Sequence, residues 1–178
     1  MSMAVSPLSF KLFSGAAVVM GVAGCGKTTL GEALATALGV DFIEGDMLHA
    51  AASVDKMSNG IALNDEDRWP WLARIGNALA GGKGIIASCS ALKKTYRQKI
   101  SEHAGRPVHF IHLHGSRHVL EARIQNRKGH FMPASLLDSQ FATLQQLDET
   151  ESHIVIDVAA SPGAQLVLAQ AFLVKKET

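Results

Sequence analysis

The chain has 178 residues, of which 47% are apolar and 19% charged, and its formal net charge is +1. This size and composition predict one globular domain with a sizeable core. The small net charge argues against a nucleic-acid-binding surface and a polybasic membrane anchor, and no apolar run approaches the ~20 residues that span a bilayer.

Residues 1–15 carry a proline, a lysine and no long apolar core, which predicts a flexible leader before a single domain over 16–178. Apolar runs bounded by turn residues predict five strands, at Ala16–Met20, 40–44, 84–88, 108–113 and 153–158. Apolar spacing and capping residues predict helices over Lys27–Leu38, 65–81, 92–103, 117–127, 134–147 and from 162 onwards.

Strands alternate with helices along the whole chain, which predicts right-handed crossovers and a parallel sheet. The expected fold is therefore α/β, with three layers: a five-stranded parallel sheet covered by helices on both faces. In such sheets ligands bind at the carboxyl ends of the strands. The two cysteines, Cys25 and Cys89, form no disulfide framework, which favours a cytoplasmic location.

The segment "GVAGCGKT", Gly21–Thr28, fits the phosphate-loop pattern G-x-x-x-x-G-K-[ST] between a predicted strand and a predicted helix. Glycines let backbone N–H groups curl around phosphate oxygens, Lys27 reaches the β and γ phosphates, and the Thr28 hydroxyl is a ligand for Mg²⁺. The expected nucleotide contacts in this region are Gly21, Val22, Ala23, Gly24, Cys25, Gly26, Lys27, Thr28 and Thr29. A dinucleotide-binding loop would place its glycines as G-x-G-x-x-G.

An acid, Asp46, follows the second predicted strand, at an edge where the phosphate loop is expected nearby. A carboxylate there can orient an acceptor hydroxyl, accept its proton late, or hold Mg²⁺ through water. The polar side chains that follow the second and third strands are candidates for binding the acceptor: His49, Lys56, Arg68, Ser90, Lys93 and Arg97. We expect Lys27 and Asp46 to be catalytic.

Six segments, "MGVAGCGKTT", "GDMLH", "KMSNGIALNDEDRWPWL", "CSALKKTYR", "RKGHFM" and "LLDSQFATLQ", together resemble the bacterial-type gluconokinase family. The likeness covers nearly all of residues 16–172. It implies ATP- and Mg²⁺-dependent phosphorylation of D-gluconate to 6-phosphogluconate, a fold similar to shikimate and adenylate kinases, and a homodimer. It also implies a small mobile lid at about 124–135, with Arg123 stacking on adenine and Arg127 contacting phosphates as a catalytic residue.

The sequence departs from the family pattern at Ala50 and Ala62, where the family tends to have proline. Both changes loosen the loop on the acceptor side and remove no chemical group. Other readings stay open at this point: a kinase for another hydroxy acid such as shikimate, a kinase for a nucleoside monophosphate, or a non-catalytic nucleotide sensor.

Overall fold

The computed structural model describes residues 13–126 and 134–176. Within these residues, five strands form one sheet: β1 Ala16–Met20, β2 Asp41–Glu44, β3 Ile85–Ser88, β4 Val108–His114 and β5 His153–Asp157. The helices in the same residues are α1 Lys27–Leu38, α2 Ala51–Ser58, α3 Asp65–Leu79, α4 Lys94–Ala104, α5 Arg117–Gln125, α6 Ala134–Thr143 and α7 Pro162–Lys176. No helix of this part of the chain is long and apolar enough to cross a membrane.

The strand order is β2-β3-β1-β4-β5, and every neighbouring pair is parallel. Strand β1 therefore lies at the centre, with β3 on one side and β4 on the other. Because β3 separates β1 from β2, the end of β2 is not directly paired with the strand that leads into the phosphate loop. The predicted α/β fold with a five-stranded parallel sheet is confirmed.

Alternate residues of β1 enter two separate cores. Ala17 and Val19 pack in one cluster with apolar residues of α1, α5, α6 and α7. Ala16, Val18 and Met20 pack in the other with residues of α3 and α4. All five are fully buried, which explains why β1 is a continuous apolar run and not an alternating pattern.

Several local predictions are confirmed at the helix ends. Gly39 ends α1 with φ of 66°, and the Asn64 side chain accepts a hydrogen bond from the Asp67 N–H at the start of α3. Ser116 caps α5 by accepting from the Val119 N–H. These signals depend on neighbours in sequence, so they can be read before the fold is known.

Three features of the chain differ from the prediction, and the simplest is helix α6, which was predicted to reach 147 and ends at Thr143. Phe13 is 2% exposed and belongs to the core, so the leader predicted for 1–15 is wrong at this residue, and 1–12 lie outside the described residues. The 3₁₀ turn Gly45–Leu48 and helix α2 were not predicted. Helix α2 leaves Val54 and Met57 exposed, so it has no buried apolar stripe to give a helical period.

Candidate functional site

The phosphate loop joins the carboxyl end of β1 to the first turn of α1. Gly21, Gly24 and Gly26 have φ of 140°, 77° and 98°, a backbone region that other residues rarely adopt. Such conformations let N–H groups curl around an anion, and the start of α1 adds the positive end of its dipole. The predicted contacts Gly21 to Thr28 lie in this loop, and Thr29 follows in α1.

Three other elements hold the loop in place. The Gly21 N–H donates to the carbonyl oxygen of Ser90, after β3, at 3.3 Å. The Ala23 N–H donates to Oε1 of Gln140, in α6, at 2.7 Å. A Cβ at Gly24 would lie 2.6 Å from Cγ1 of Ile124, in α5, so a side chain does not fit there. The loop is therefore preformed by packing as well as by its glycines.

The two reactive side chains of the loop differ in environment. Lys27 Nζ donates to the carbonyl oxygen of Val22 at 3.1 Å, so its ammonium bends back over the loop. Cys25 is 1% exposed, and burial raises the pKa of its thiol. A protonated, buried thiol is a packing group and a poor nucleophile.

A carboxylate that the sequence analysis did not select, Glu44, meets the loop. Thr28 Oγ1 donates to Glu44 Oε2 at 2.5 Å, and the other carboxylate oxygen accepts from the Ser88 hydroxyl. Glu44 ends β2, so it reaches across the end of β3 to the loop. A hydroxyl and a carboxylate are oxygen donors of the kind that Mg²⁺ prefers, so these residues fit a magnesium site. The sequence alone could have indicated Glu44, because it is the first of the two acids in "EGD", at the end of the predicted second strand.

The turn that carries Asp46 is pressed against the end of β3. A Cβ at Gly45 would lie 1.9 Å from the Ser88 carbonyl oxygen, so only glycine allows this approach. The Gly45 N–H donates to Ser88 Oγ at 3.1 Å, and Trp71 Nε1 donates to the Gly45 carbonyl oxygen at 2.7 Å. Asp46 itself is 75% exposed, so its carboxylate is open to a ligand.

His49 buries its side chain next to the exposed carboxylate of Asp46. Its ring stacks on Trp71, with centroids 4.1 Å apart, and its side chain is only 4% exposed. Nε2 lies 3.9 Å from Asp46 Oδ1, and Nδ1 has no hydrogen-bond partner among the described residues. Burial lowers the pKa of His49, so the ring is neutral near pH 7 and its contact with Asp46 is not an ion pair.

Two of the predicted acceptor-binding cations are paired with acids at the start of α3. Lys56 Nζ lies 2.7 Å from Asp67, and Lys93 Nζ lies 2.9 Å from Asp65. The Tyr96 hydroxyl also donates to Asp65. The Tyr96 and Lys93 hydrogen bonds hold the pKa of Asp65 below its usual value. These two lysines neutralise acids of the chain, which reduces the charge they offer to a ligand.

Arg68 has a different environment. One of its N–H groups donates to the Tyr96 hydroxyl at 3.3 Å, and the guanidinium carbon lies 5.6 Å from the centre of that ring. It pairs with no carboxylate within residues 13–126 and 134–176. Ser90 is half-buried, and its carbonyl oxygen supports the phosphate loop. Arg68 is therefore the described cation on this side with most capacity for a carboxylate ligand.

Arg97 does not lie where the sequence suggested. It is 1% exposed and forms an ion pair with Glu151, with Nε at 2.5 Å from Oε1. Its other N–H groups donate to carbonyl oxygens of Ala91, Leu92, Gln145 and Gln146. Because the guanidinium is fully used by the protein, the predicted substrate contact of Arg97 is wrong, and its role is structural.

The two predicted arginines near the lid have different outcomes. Arg123 lies at the end of α5 and donates to the carbonyl oxygen of Val158, after β5, at 2.6 Å. It is thus at the carboxyl edge of the sheet, on the opposite side of β1 from Asp46. Arg127 lies outside the described residues, as does most of the lid predicted at about 124–135.

A phosphate loop on the central strand, with Glu44 at the end of β2 bonded to its Thr28 and the exposed Asp46 two residues later, defines a P-loop protein of the kinase class. A family profile described as AAA domain matches residues 17–148. A shikimate kinase from Bacteroides thetaiotaomicron has a TM-score of 0.65 at 15% identity, and covers 89% of this chain and 98% of that one. At that identity the likeness concerns the fold alone.

Closer relatives are named for one activity. A gluconokinase from Gluconobacter oxydans (strain 621H) is 46% identical over 157 residues, which are 86% of each chain. A crystal structure of a gluconokinase from Sinorhizobium meliloti 1021 has 48% identity and a TM-score of 0.86, and covers 92% of this chain and 94% of that one. The chain belongs to the gluconokinase family.

Proposed function

We propose that the protein transfers the γ-phosphate of ATP to D-gluconate and releases 6-phospho-D-gluconate and ADP. The observation that carries this proposal is the 46% identity to a gluconokinase over 86% of both chains. The open carboxylate of Asp46, at the same sheet edge as the phosphate loop, is consistent with it. A protein that only sensed nucleotides would have no need of an acid for an acceptor hydroxyl.

In this reaction the 6-hydroxyl oxygen of gluconate bonds to the γ-phosphorus as the bond from phosphorus to the ADP oxygen breaks. Asp46 orients the hydroxyl and takes its proton late, because phosphoryl transfer has a loose transition state. Lys27 neutralises charge that develops on the phosphate oxygens. The resemblance assigns a similar task to Arg127, and adenine stacking to Arg123.

The gluconate carboxylate binds Arg68 through two parallel N–H bonds, which suit a planar guanidinium. Lys56, Lys93 and Ser90 complete the polar surroundings of the sugar acid, and His49 supports Asp46 from behind. The contacts of Arg68 with Tyr96 in the described structure support this arrangement, since they hold the guanidinium without using a carboxylate.

We propose that ATP binds as its Mg²⁺ complex. The Thr28 hydroxyl would hold the ion together with Glu44 or Asp46, either directly or through water. When bound, the ion would offset charge on the β and γ phosphates. Thr28 and Glu44 already share a hydrogen bond of 2.5 Å, so their oxygens converge on one place. We also infer a cytoplasmic homodimer: both cysteines are free, and the resemblance implies the dimer.

The test is an ADP-release assay with ATP and Mg²⁺ over a panel of acceptors: D-gluconate, shikimate and several nucleoside monophosphates. Gluconate should be turned over far faster than any other, and the Lys27→Ala variant supplies the background rate. A higher rate with shikimate or a nucleoside monophosphate would contradict the proposed acceptor. Nucleotide binding without turnover of any acceptor would favour a sensor. Light scattering after size-exclusion chromatography tests the dimer.

A further inference from the structure

One contact to the phosphate loop comes from a distant side chain. Gln140 Oε1 accepts a hydrogen bond from the Ala23 N–H at 2.7 Å, across 117 residues of sequence. Gln140 is half-buried in α6. A backbone N–H in this loop needs an acceptor, and here a neutral amide oxygen supplies it.

Helix α6 is anchored on both sides of Gln140. Leu137, one turn earlier, is 2% exposed and packs in the same core cluster as Val22 and Cys25 of the loop. Just after the helix, the Gln145 N–H donates to the Leu92 carbonyl oxygen at 2.8 Å. The buried Arg97 also holds this segment, by its bonds to the carbonyl oxygens of residues 145 and 146. Gln140 therefore projects from a fixed support.

The residue after Ala23 is fixed by another helix, because Gly24 packs directly against Ile124 of α5. Two helices thus hold two successive residues at the crest of the loop. Phosphate binding depends on the directions of the loop N–H groups, and a peptide unit that rotates turns its N–H away. The Gln140 bond fixes the peptide between Val22 and Ala23, whose carbonyl oxygen accepts from Lys27 Nζ, and so limits rotation of the peptides that follow it in the loop.

We propose that Gln140 is a positioning residue for the phosphates of ATP, acting by orienting the phosphate loop through Ala23. The inference rests on the proposed use of ATP. Because Gln140 acts on the loop and not on the acceptor turn, its loss should weaken nucleotide binding and leave gluconate binding unchanged. Its neutral amide also suits the place, since a carboxylate in its position would repel the phosphates.

The experiment uses Gln140→Met and Gln140→Glu, with Gln146→Met as the matched control at an exposed glutamine of the same region. Gln140→Met removes the acceptor at similar size and should raise the Kd for ATP with Mg²⁺, and the KM for ATP, by ~10-fold. The KM for gluconate should stay within about twofold. Gln140→Glu keeps an acceptor for the Ala23 N–H, so its Tm should match the wild type while ATP binds ~10-fold or more weakly. Gln146→Met should behave as wild type.

Unchanged ATP affinity in Gln140→Glu would refute the argument from charge, and unchanged affinity in a folded Gln140→Met variant would overturn the proposal. So would equal changes in the two KM values that follow a fall in Tm, because that pattern indicates a structural role alone. If Gln140→Met does not fold, Gln140→Ala, which also removes the acceptor and suits a helix, takes its place in the same comparison. Calorimetry without acceptor separates this test from the proposed function: a wild type that binds ATP and ignores gluconate would refute the acceptor and leave the Gln140 measurement valid.

Discussion

The backbone of the phosphate loop is held by three groups from distant parts of the chain, whereas the acceptor side is held by side chains that pair with one another. The Ser90 carbonyl oxygen, the Gln140 amide and the Ile124 side chain fix successive parts of the loop. On the acceptor side, Lys56 and Lys93 pair with acids of α3 in partly exposed positions. Met47, beside Asp46, is 82% exposed.

From this difference we infer how each half would bind its proposed ligand. A loop of fixed N–H groups suits a phosphate chain, because little order has to be created when the nucleotide binds. Exposed ion pairs contribute little to stability, so a sugar acid can replace them at small cost. We therefore expect changes near the loop to affect turnover or ATP binding, and changes among the acceptor-side cations to affect the gluconate KM.

The largest effect is expected on the phosphate side. Lys27→Ala should lower kcat/KM by ~10³-fold or more with the fold intact, because the ammonium acts on oxygens whose charge rises in the transition state. Steady-state kinetics and a thermal melt measure this, with the exposed Lys83→Ala as control. A folded Lys27→Ala variant with near-normal turnover would show that the loop does not carry the reaction.

Asp46→Asn tests the one acceptor-side residue expected to act on turnover. The amide keeps the shape but loses the charge and the proton acceptor, so kcat should fall by ~10²–10⁴-fold with ATP affinity little changed. Calorimetry without acceptor and turnover at saturating gluconate are the measurements, and Asp41→Asn is an exposed control. If the Asp46→Asn variant turns over gluconate as fast as the wild type, Asp46 has no role in the reaction and is only part of the turn. Tenfold weaker binding of ATP with Mg²⁺ would make it chiefly a metal-shell residue.

The next prediction concerns how the free energy of unfolding depends on pH through His112, in strand β4 next to β1. Burial lowers the pKa of His112, which pairs with Met20 across β1 and β4, to about 4 from an ordinary 6.5. The unfolded chain binds a proton between these values and the folded chain does not, so stability falls as pH drops below about 6.5. Between about pH 7 and pH 5 the loss from this group should be about 2 kcal/mol.

Urea unfolding at both pH values measures this loss, and His112→Leu should remove it. The exposed His118→Leu variant should keep the full pH dependence of the wild type. If His112→Leu loses as much stability on acidification as the wild type, the pH dependence arises from other groups, and His112 is not the buried neutral histidine described.

The smallest effect is expected for Arg68→Lys. An ammonium cannot replace the two parallel N–H bonds of a guanidinium, so the gluconate KM should rise by ~10-fold while the ATP KM changes little. Arg117→Lys, in a surface ion pair, is the control. Equal effects on both KM values, or none, would remove Arg68 from the acceptor site and weaken the contrast between the two halves.

Much of the molecule was predictable because it depends on neighbours in sequence. The phosphate loop follows from eight consecutive residues between a strand and a helix. The strands follow from apolar runs, since both faces of the sheet are covered. Gly39 and Asn64 end and begin helices through contacts within a few residues. Asp46 could be selected because strand ends in parallel sheets meet at one edge.

The remaining features depend on tertiary contacts between residues far apart in sequence. Arg97 looked like a ligand-binding cation until the fold placed Glu151 against it, 54 residues later. Glu44 belongs to the candidate site because it bonds Thr28 across the end of β3, and Gln140 belongs to it because it bonds the Ala23 N–H. A sequence shows which charges and amides exist, but burial and topology decide which of them are already paired and which stay open to a ligand.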